Sequence, residues 1–290
     1  DDPYYTESLT YWRGAVAMAK EQWQRTVEII QPLTETGKTA ENQRRALELL
    51  SRAYVQQRNW QKAQNVLSKL LEAIPQNELS GQVRMDLVKT HLANQQYEMA
   101  AQVLEAIDEK PGRVPPTTIQ LYRSLLRLKQ QEVDQALTLY EEIDAKRPEQ
   151  ADQGWWTVVS QLAEALYQRE KWEVALNVWS DAEVVAPTKD ARIRSKLRKV
   201  TCLRKLERKE LAIHELNEFM ESFPASEKVP EAKIQLAELL RSTGNPLSAG
   251  QQFSEVADDE KAATPLRYRA ALSRGWCLRE AEKYEEAMNA

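Results

Sequence analysis

The densest chemistry in the sequence lies between Arg192 and Lys209. There nine basic side chains, Arg192, Arg194, Lys196, Arg198, Lys199, Arg204, Lys205, Arg208 and Lys209, stand against one carboxylate, Glu207. Cations at this density can hold anions, and an acidic peptide is the partner they would attract. The competing reading is that they form the wet side of an ordinary helix. Residue types for covalent or acid–base chemistry do not assemble. His91 and His214 lie far apart in the chain, so neither a metal pair nor a Ser-His-Asp arrangement can be argued. Gly244 precedes Asn245-Pro246 and reads as a turn, and Gly81 and Gly112 fall in links, so no phosphate-binding loop is present. Carboxylate pairs are abundant, but on amphipathic helices they are solvated faces. A non-catalytic chain with no cofactor and no metal is expected.

Composition points the same way. The 290 residues carry a net charge of −4 with 29% charged side chains, which gives no overall pull toward nucleic acid or an anionic membrane. The basic run is flanked by acidic stretches and carries no interleaved aromatics for base stacking, so nucleic acid is not expected as a partner. No run of eighteen apolar residues exists to span a bilayer. The opening residues DDPYYTESL lack the basic and apolar regions of a signal peptide, as would those of a mature or excised fragment. Cys202 and Cys277 read as small buried apolar residues, too far apart for a disulfide.

The elements that must position these side chains follow from one recurring phrase. Ala212, Leu216 and Phe219, then Pro224, place small, large and large residues at offsets of four and seven before a helix stop. The small residue recurs eight times, as Thr26, Ala63, Ala100, Ala136, Ala175, Ala212, Ala249 and Ala287, at intervals of 37, 37, 36, 39, 37, 37 and 38. Twelve residues before each anchor stand Gly14, Ser51, Val88, Ser124, Ala163, Val200, Ala237 and Gly275, mostly small and each inside a second helical pattern. Trp23, Trp60, Tyr97, Trp172 and Tyr284 mark the turn between the two helices, and Pro75, Pro111, Pro148, Pro187 and Pro224 mark the links. A chain longer than one core usually spans is thus an array of helical hairpins.

Expected first helices start near Glu7, Arg44, Gly81, Thr117, Trp155, Ile193, Pro230 and Tyr268, and Leu33 to Ala40 reads as a loop. The expected fold is all-α, an α-solenoid of about eight hairpins in a single array over 1–290. Helix B of every earlier hairpin needs ten or more residues beyond its anchor, yet only three follow Ala287. The eighth hairpin is therefore expected to be incomplete, with the natural chain continuing past residue 290.

The pattern resembles the tetratricopeptide repeat (TPR) family. Its W-x-x-L-G-x-x-Y, A-x-x-x-F and P signature is matched best by Leu50-Ser51-Arg52-Ala53-Tyr54 with Ala63 and Pro75, and again by Leu236-Ala237 with Leu240, Ala249 and Phe253. The resemblance covers the whole chain. Repeat four departs most, with Leu121, Leu125 and Leu128 one place off register. Phe223-Pro224-Ala225-Ser226 followed by Pro230-Glu231-Ala232 is similar to the F-P-x-S…P-E-A phrasing of bacterial envelope TPR proteins, the outer-membrane-assembly lipoprotein and the Tol–Pal-associated periplasmic coordinator.

What the resemblance implies is a right-handed superhelix that binds a peptide or helix of another protein on its concave wall, formed by the first helix of each hairpin. Two stretches of that wall stand out. Met85, Leu92, Leu121, Leu125 and Leu128 would form an exposed apolar patch, unless the register slip of repeat four turns these leucines into core. Arg194, Arg204, Arg241, Arg269 and Arg279 would form a basic groove in which Trp276 anchors an acidic peptide. The carboxylate clamp of chaperone-binding relatives is absent, since its positions hold Glu48, Met85, Leu121 and Arg52, Lys89, Leu125. Trp12, Trp155 and Trp156 are not placed by the repeat, and an exposed pair at 155 and 156 would be a contact candidate. The implied role is an interaction scaffold in a bacterial envelope. A cytoplasmic adaptor, or the helical part of a larger enzyme, remains open at this point.

Overall fold

A computed structural model describes residues 3–74, 78–109, 114–144 and 153–282. It divides into two compact units, Asp1–Pro148 and Glu149–Ala290. Among the described residues every regular element is a helix and no strand occurs.

The first unit holds α1 (Pro3–Ala19), α2 (Trp23–Ile30), the single turn α3 (Leu33–Thr36), α4 (Ala40–Gln56), α5 (Trp60–Ala73), α6 (Glu78–Ala93), α7 (Tyr97–Glu109), α8 (Pro116–Lys129) and α9 (Val133–Asp144). The second holds α10 (Gln153–Gln168), α11 (Trp172–Val184), α12 (Lys189–Lys205), α13 (Lys209–Ser222), α14 (Val229–Ser242), α15 (Pro246–Ala257) and α16 (Thr264–Glu280). Consecutive helices pair as hairpins, and within each unit every hairpin packs on the one before it, as α5 on α6, α7 on α8, α11 on α12 and α13 on α14.

The anchors explain the nesting. Thr26, Ala63, Ala100, Ala136, Ala175, Ala212 and Ala249 are all fully buried, at 0% exposure. Across the hairpin, Ser51, Val88, Ser124, Ala163, Val200 and Ala237 are buried too. In repeat four the Ser124 hydroxyl donates to the carbonyl of Ala136 at 2.7 Å, so a polar small residue closes the same contact. Space is tightest at Gly14, where an added Cβ would overlap Cγ1 and Cδ1 of the fully buried Ile30. Ala287 and Tyr284, Pro75, Pro111 and Pro148 lie outside the described residues, as does the second helix expected for the eighth hairpin.

Several boundaries differ from the sequence reading. The stretch expected as a loop from Leu33 contains α3, and α4 begins at Ala40 rather than near Arg44. The Thr39 hydroxyl caps it by accepting from the Asn42 backbone N–H at 3.1 Å, and Thr188 does the same for Ala191 at 3.1 Å. These caps let α4 and α12 start earlier than their apolar stripes suggest.

One feature recurs with the same period as the anchors. Glu21, Arg58, Gln95, Gln131, Glu170, Glu207, Gly244 and Glu282 all have positive φ, between 56° and 81°. The first seven sit between paired helices, and Glu282 follows α16. At Arg58 the backbone N–H donates to Val55 O at 3.0 Å and the next N–H, of Asn59, to Tyr54 O at 2.9 Å. This double bond pattern closes the helix end with a left-handed residue, a position that favours glycine. Only Gly244 supplies one. Arg58 is exposed, so Arg58→Gly should stabilise the first unit by up to about 1 kcal/mol. A urea titration at unchanged m-value checks this, and a lower midpoint would refute it.

Candidate binding surface on the second unit

The basic run divides between two faces of α12. Lys196 and Lys199 turn inward between α11 and α13. Lys196, only 4% exposed, lies 3.3 Å from Glu183, 3.6 Å from Glu215 and 3.0 Å from Glu218. Lys199 reaches Glu215 at 2.7 Å and Glu183 at 3.0 Å. Burial by itself would lower both ammonium groups, but the carboxylates around them hold each above the usual lysine value. These two lysines are structural and take no part in the groove foreseen from the sequence.

The remaining basic residues do face outward. Arg194 lies over the Trp156 ring, 5.8 Å from its centroid, and Arg198 pairs with Glu164 at 3.3 Å. With Lys189, Leu197, Lys228 and Gln235 these arginines line an open groove of about 870 Å³ between α12 and α14. One hairpin further, Glu238 of α14 accepts from two arginines at once, Arg204 of α12 at 3.3 Å and Arg269 of α16. Arg241 pairs with Glu280 at 3.1 Å. Arg279 stacks on Trp276, 4.0 Å above its centroid. Arg194, Arg204, Arg241, Arg269, Arg279 and Trp276 are exposed and Arg198 is half-buried, on a wall made by α12, α14 and α16.

Sequence reasoning named Trp276 on this wall but missed the stripe to which it belongs. Tyr268, Leu272 and Trp276, four residues apart on α16, are 74%, 68% and 43% exposed. They form an apolar stripe beside Arg269 and Arg279, and spacing on one helix face was the signal that could have shown it. It also missed the ion pairs, because Arg204, Glu238 and Arg269 come from three hairpins.

The apolar patch on the first unit is not formed. Met85, Leu92, Leu121 and Leu125 are buried, at 1%, 6%, 0% and 7% exposure, and Leu128 is half-buried. The packing of α6 against α7 and α8 and of α8 against α9 makes them core, so they present no surface to a partner. Trp155 and Trp156 are likewise no exposed pair. Trp155 is buried, and the Trp156 indole donates to Ser195 Oγ at 3.1 Å.

The remaining candidates for chemistry are spoken for. His91 is buried with Nδ1 3.2 Å from Gln64 Nε2 and 2.9 Å from Gln96 Oε1. Both thiols are free and buried. Burial, with Glu164 adding to it, pushes Cys202 up to about 11, and burial raises Cys277 as well. A thiol held protonated is a poor nucleophile or metal ligand. Among the described residues no group of three His, Cys, Asp or Glu side chains could hold a metal, and no helix is long and apolar enough to cross a membrane.

Stacked hairpins with a groove of ion-paired arginines define a helical repeat protein. The family model described as "Tetratricopeptide repeat" matches residues 48–115 and 234–290, and solved TPR structures share the fold. The C-terminal part of a TPR repeat-containing protein from Cytophaga hutchinsonii is 12% identical, with a TM-score of 0.62 over 88% of this chain and 97% of that one. The apo form of the quorum sensor NprR from B. thuringiensis is 12% identical, with a TM-score of 0.55 over 99% and 89%. A signal-transduction ATPase with a tetratricopeptide repeat sensor from Pyrococcus horikoshii is 14% identical, with a TM-score of 0.54 over 94% and 46%. At these identities the likeness is one of fold. No curated protein matches the chain. TPR proteins generally act as protein-interaction scaffolds, and their fold is generally non-catalytic.

Proposed function

We propose that this chain is a non-catalytic scaffold whose second unit holds an acidic segment of another protein along α12, α14 and α16. The observation that carries the reading is Glu238, one carboxylate shared by Arg204 and Arg269. Two guanidinium groups on one acceptor leave donor capacity that an incoming Asp or Glu can use in bidentate fashion. The exposed stripe of Tyr268, Leu272 and Trp276 beside them offers an apolar anchor of the kind that dominates interface energies. A rigid wall leaves most of the ordering cost to the bound segment. The bacterial envelope setting is part of the proposal. It rests on the Phe223-Pro224-Ala225-Ser226 and Pro230-Glu231-Ala232 phrasing, and fractionation of the native host would test it.

Selection of random 15-residue peptides on the full chain tests the binding reading. Enriched peptides should be rich in Asp and Glu around an aromatic or leucine, and Arg204→Glu with Arg269→Glu should abolish their capture. Peptides without charge bias, or binding indifferent to that double variant, would overturn it.

A further inference from the structure

The first unit carries a second surface, unrelated to the arginine wall and without its internal neutralisation. On α1, Tyr5, Leu9, Trp12 and Val16 are 71%, 40%, 64% and 53% exposed. Their spacing of four, three and four residues is that of a helix seam made to receive another helix. Leu9, Trp12 and Val16 border an open groove of about 460 Å³ completed by Gln22, Arg25 and Ile29 of the following turn and α2.

Later hairpins show what this fold lays on such a face. Leu9, Trp12 and Val16 stand 17, 14 and 10 residues before the anchor Thr26. The residues at the same offsets before Ala63 are Ala46, Leu49 and Ala53, and those before Ala136 are Ile119, Tyr122 and Leu126. All six are buried, none more than 8% exposed. α2 packs on α4 and α7 packs on α8. In those hairpins, then, the face is closed by an amphipathic helix lying in a groove, a shape that a flat bilayer does not supply.

Charge selects the helix. Arg13, Lys20 and Arg25 rim the α1 groove, and no Asp or Glu lines it. All three are exposed, and none makes an ion pair among the described residues, in contrast to Arg204, Arg241 and Arg269 of the second unit. We infer that the face formed by Leu9, Trp12 and Val16 of α1 with Ile29 of α2 binds an acidic amphipathic helix of a partner protein. Apolar side chains of that helix cover Trp12, and its carboxylates reach Arg13, Lys20 and Arg25. Desolvated Trp and Arg are the residue types around which such contacts concentrate.

The chain supplies its own probe. α7, YEMAAQVLEAIDE, has four carboxylates and no basic residue. It buries Ala100, Leu104 and Ile107 and packs on α8 in the intact protein. A fluorescein-labelled peptide of residues 97–109 is titrated with the full chain and followed by anisotropy. Saturable binding is expected, weakened at least about tenfold by Trp12→Ala, by Arg13→Glu with Arg25→Glu, and by replacing the peptide's Asp and Glu with Asn and Gln. Trp12, Arg13 and Arg25 are exposed, so these variants should melt like the parent, and the neutral-peptide arm needs no protein variant. No saturation by about 1 mM, or binding insensitive to these changes, overturns the proposal. So does binding lost in Arg204→Glu with Arg269→Glu but kept in the α1 variants, which would put the peptide on the second unit. Two further outcomes overturn it: Trp12-dependent binding to phosphatidylglycerol vesicles without peptide binding, and a concentration-dependent dimer abolished by Trp12→Ala.

Discussion

Lys196→Met lowers the stability of the second unit by about 3 kcal/mol, because it strips the central cation from the half-buried Glu183 and Glu215 and the exposed Glu218. Methionine fills much of the same volume, so the loss comes from charge. Glu183 and Glu215 then depend on Lys199 alone, and Glu218 loses the hydrogen bond that, with the nearby charges of Lys196, Lys199 and His214, holds it below the usual carboxylate value. The pH dependence has a definite sign. A carboxyl group whose folded value is lowered contributes stability above the usual value near 4.5, and that contribution is lost as pH falls through the folded value. Lys196, held above 10.5 in the folded chain, contributes below that value and loses its contribution as pH rises through the higher folded one. Urea midpoints at neutral and acid pH should therefore converge for wild type and Lys196→Met as the carboxylates protonate. A variant equally destabilised at both would show that packing, and not charge, is at stake.

Trp179→Ala should cost more, about 4 kcal/mol, through the cavity left by a side chain that is fully buried. Trp179→Phe should cost far less than the missing volume suggests. The buried indole Nε1–H has no hydrogen-bond partner among the described residues, so phenylalanine also removes an unsatisfied donor. Calorimetry on the two variants separates these contributions. If phenylalanine is as damaging as alanine, the indole N–H has a partner, such as an ordered water.

These positions also show how far residue order alone carries. Ala175 and Ala212 could be located because close approach of two helices demands a small side chain and the demand recurs at every hairpin. The role of Lys196 could not. Which side of α12 a lysine faces depends on whether Glu183, Glu215 and Glu218 arrive from the neighbouring helices, and three-dimensional neighbours leave no mark in local composition. Leu121 and Leu125 went from expected groove to core for a related reason. An apolar residue on a first helix is equally compatible with an open wall and with a close neighbour, and only the packing of α8 against α6, α7 and α9 decides. The arginines of α12, α14 and α16 could be named from residue order, while the pairing of Arg204 and Arg269 through Glu238 could not.

The left-handed turns were invisible as well, since Glu, Gln and Arg give no hint of positive φ, yet they set a rule for how this chain can vary. At Glu21, Arg58, Gln95, Gln131, Glu170, Glu207 and Glu282 the side chain is exposed, so its chemistry is nearly free, whereas the mirror-like backbone beneath it is not. Valine, isoleucine or proline at any of them would oppose the reversal, and a D-residue would suit it as well as glycine does. Chirality, more than charge or bulk, is what those seven places select.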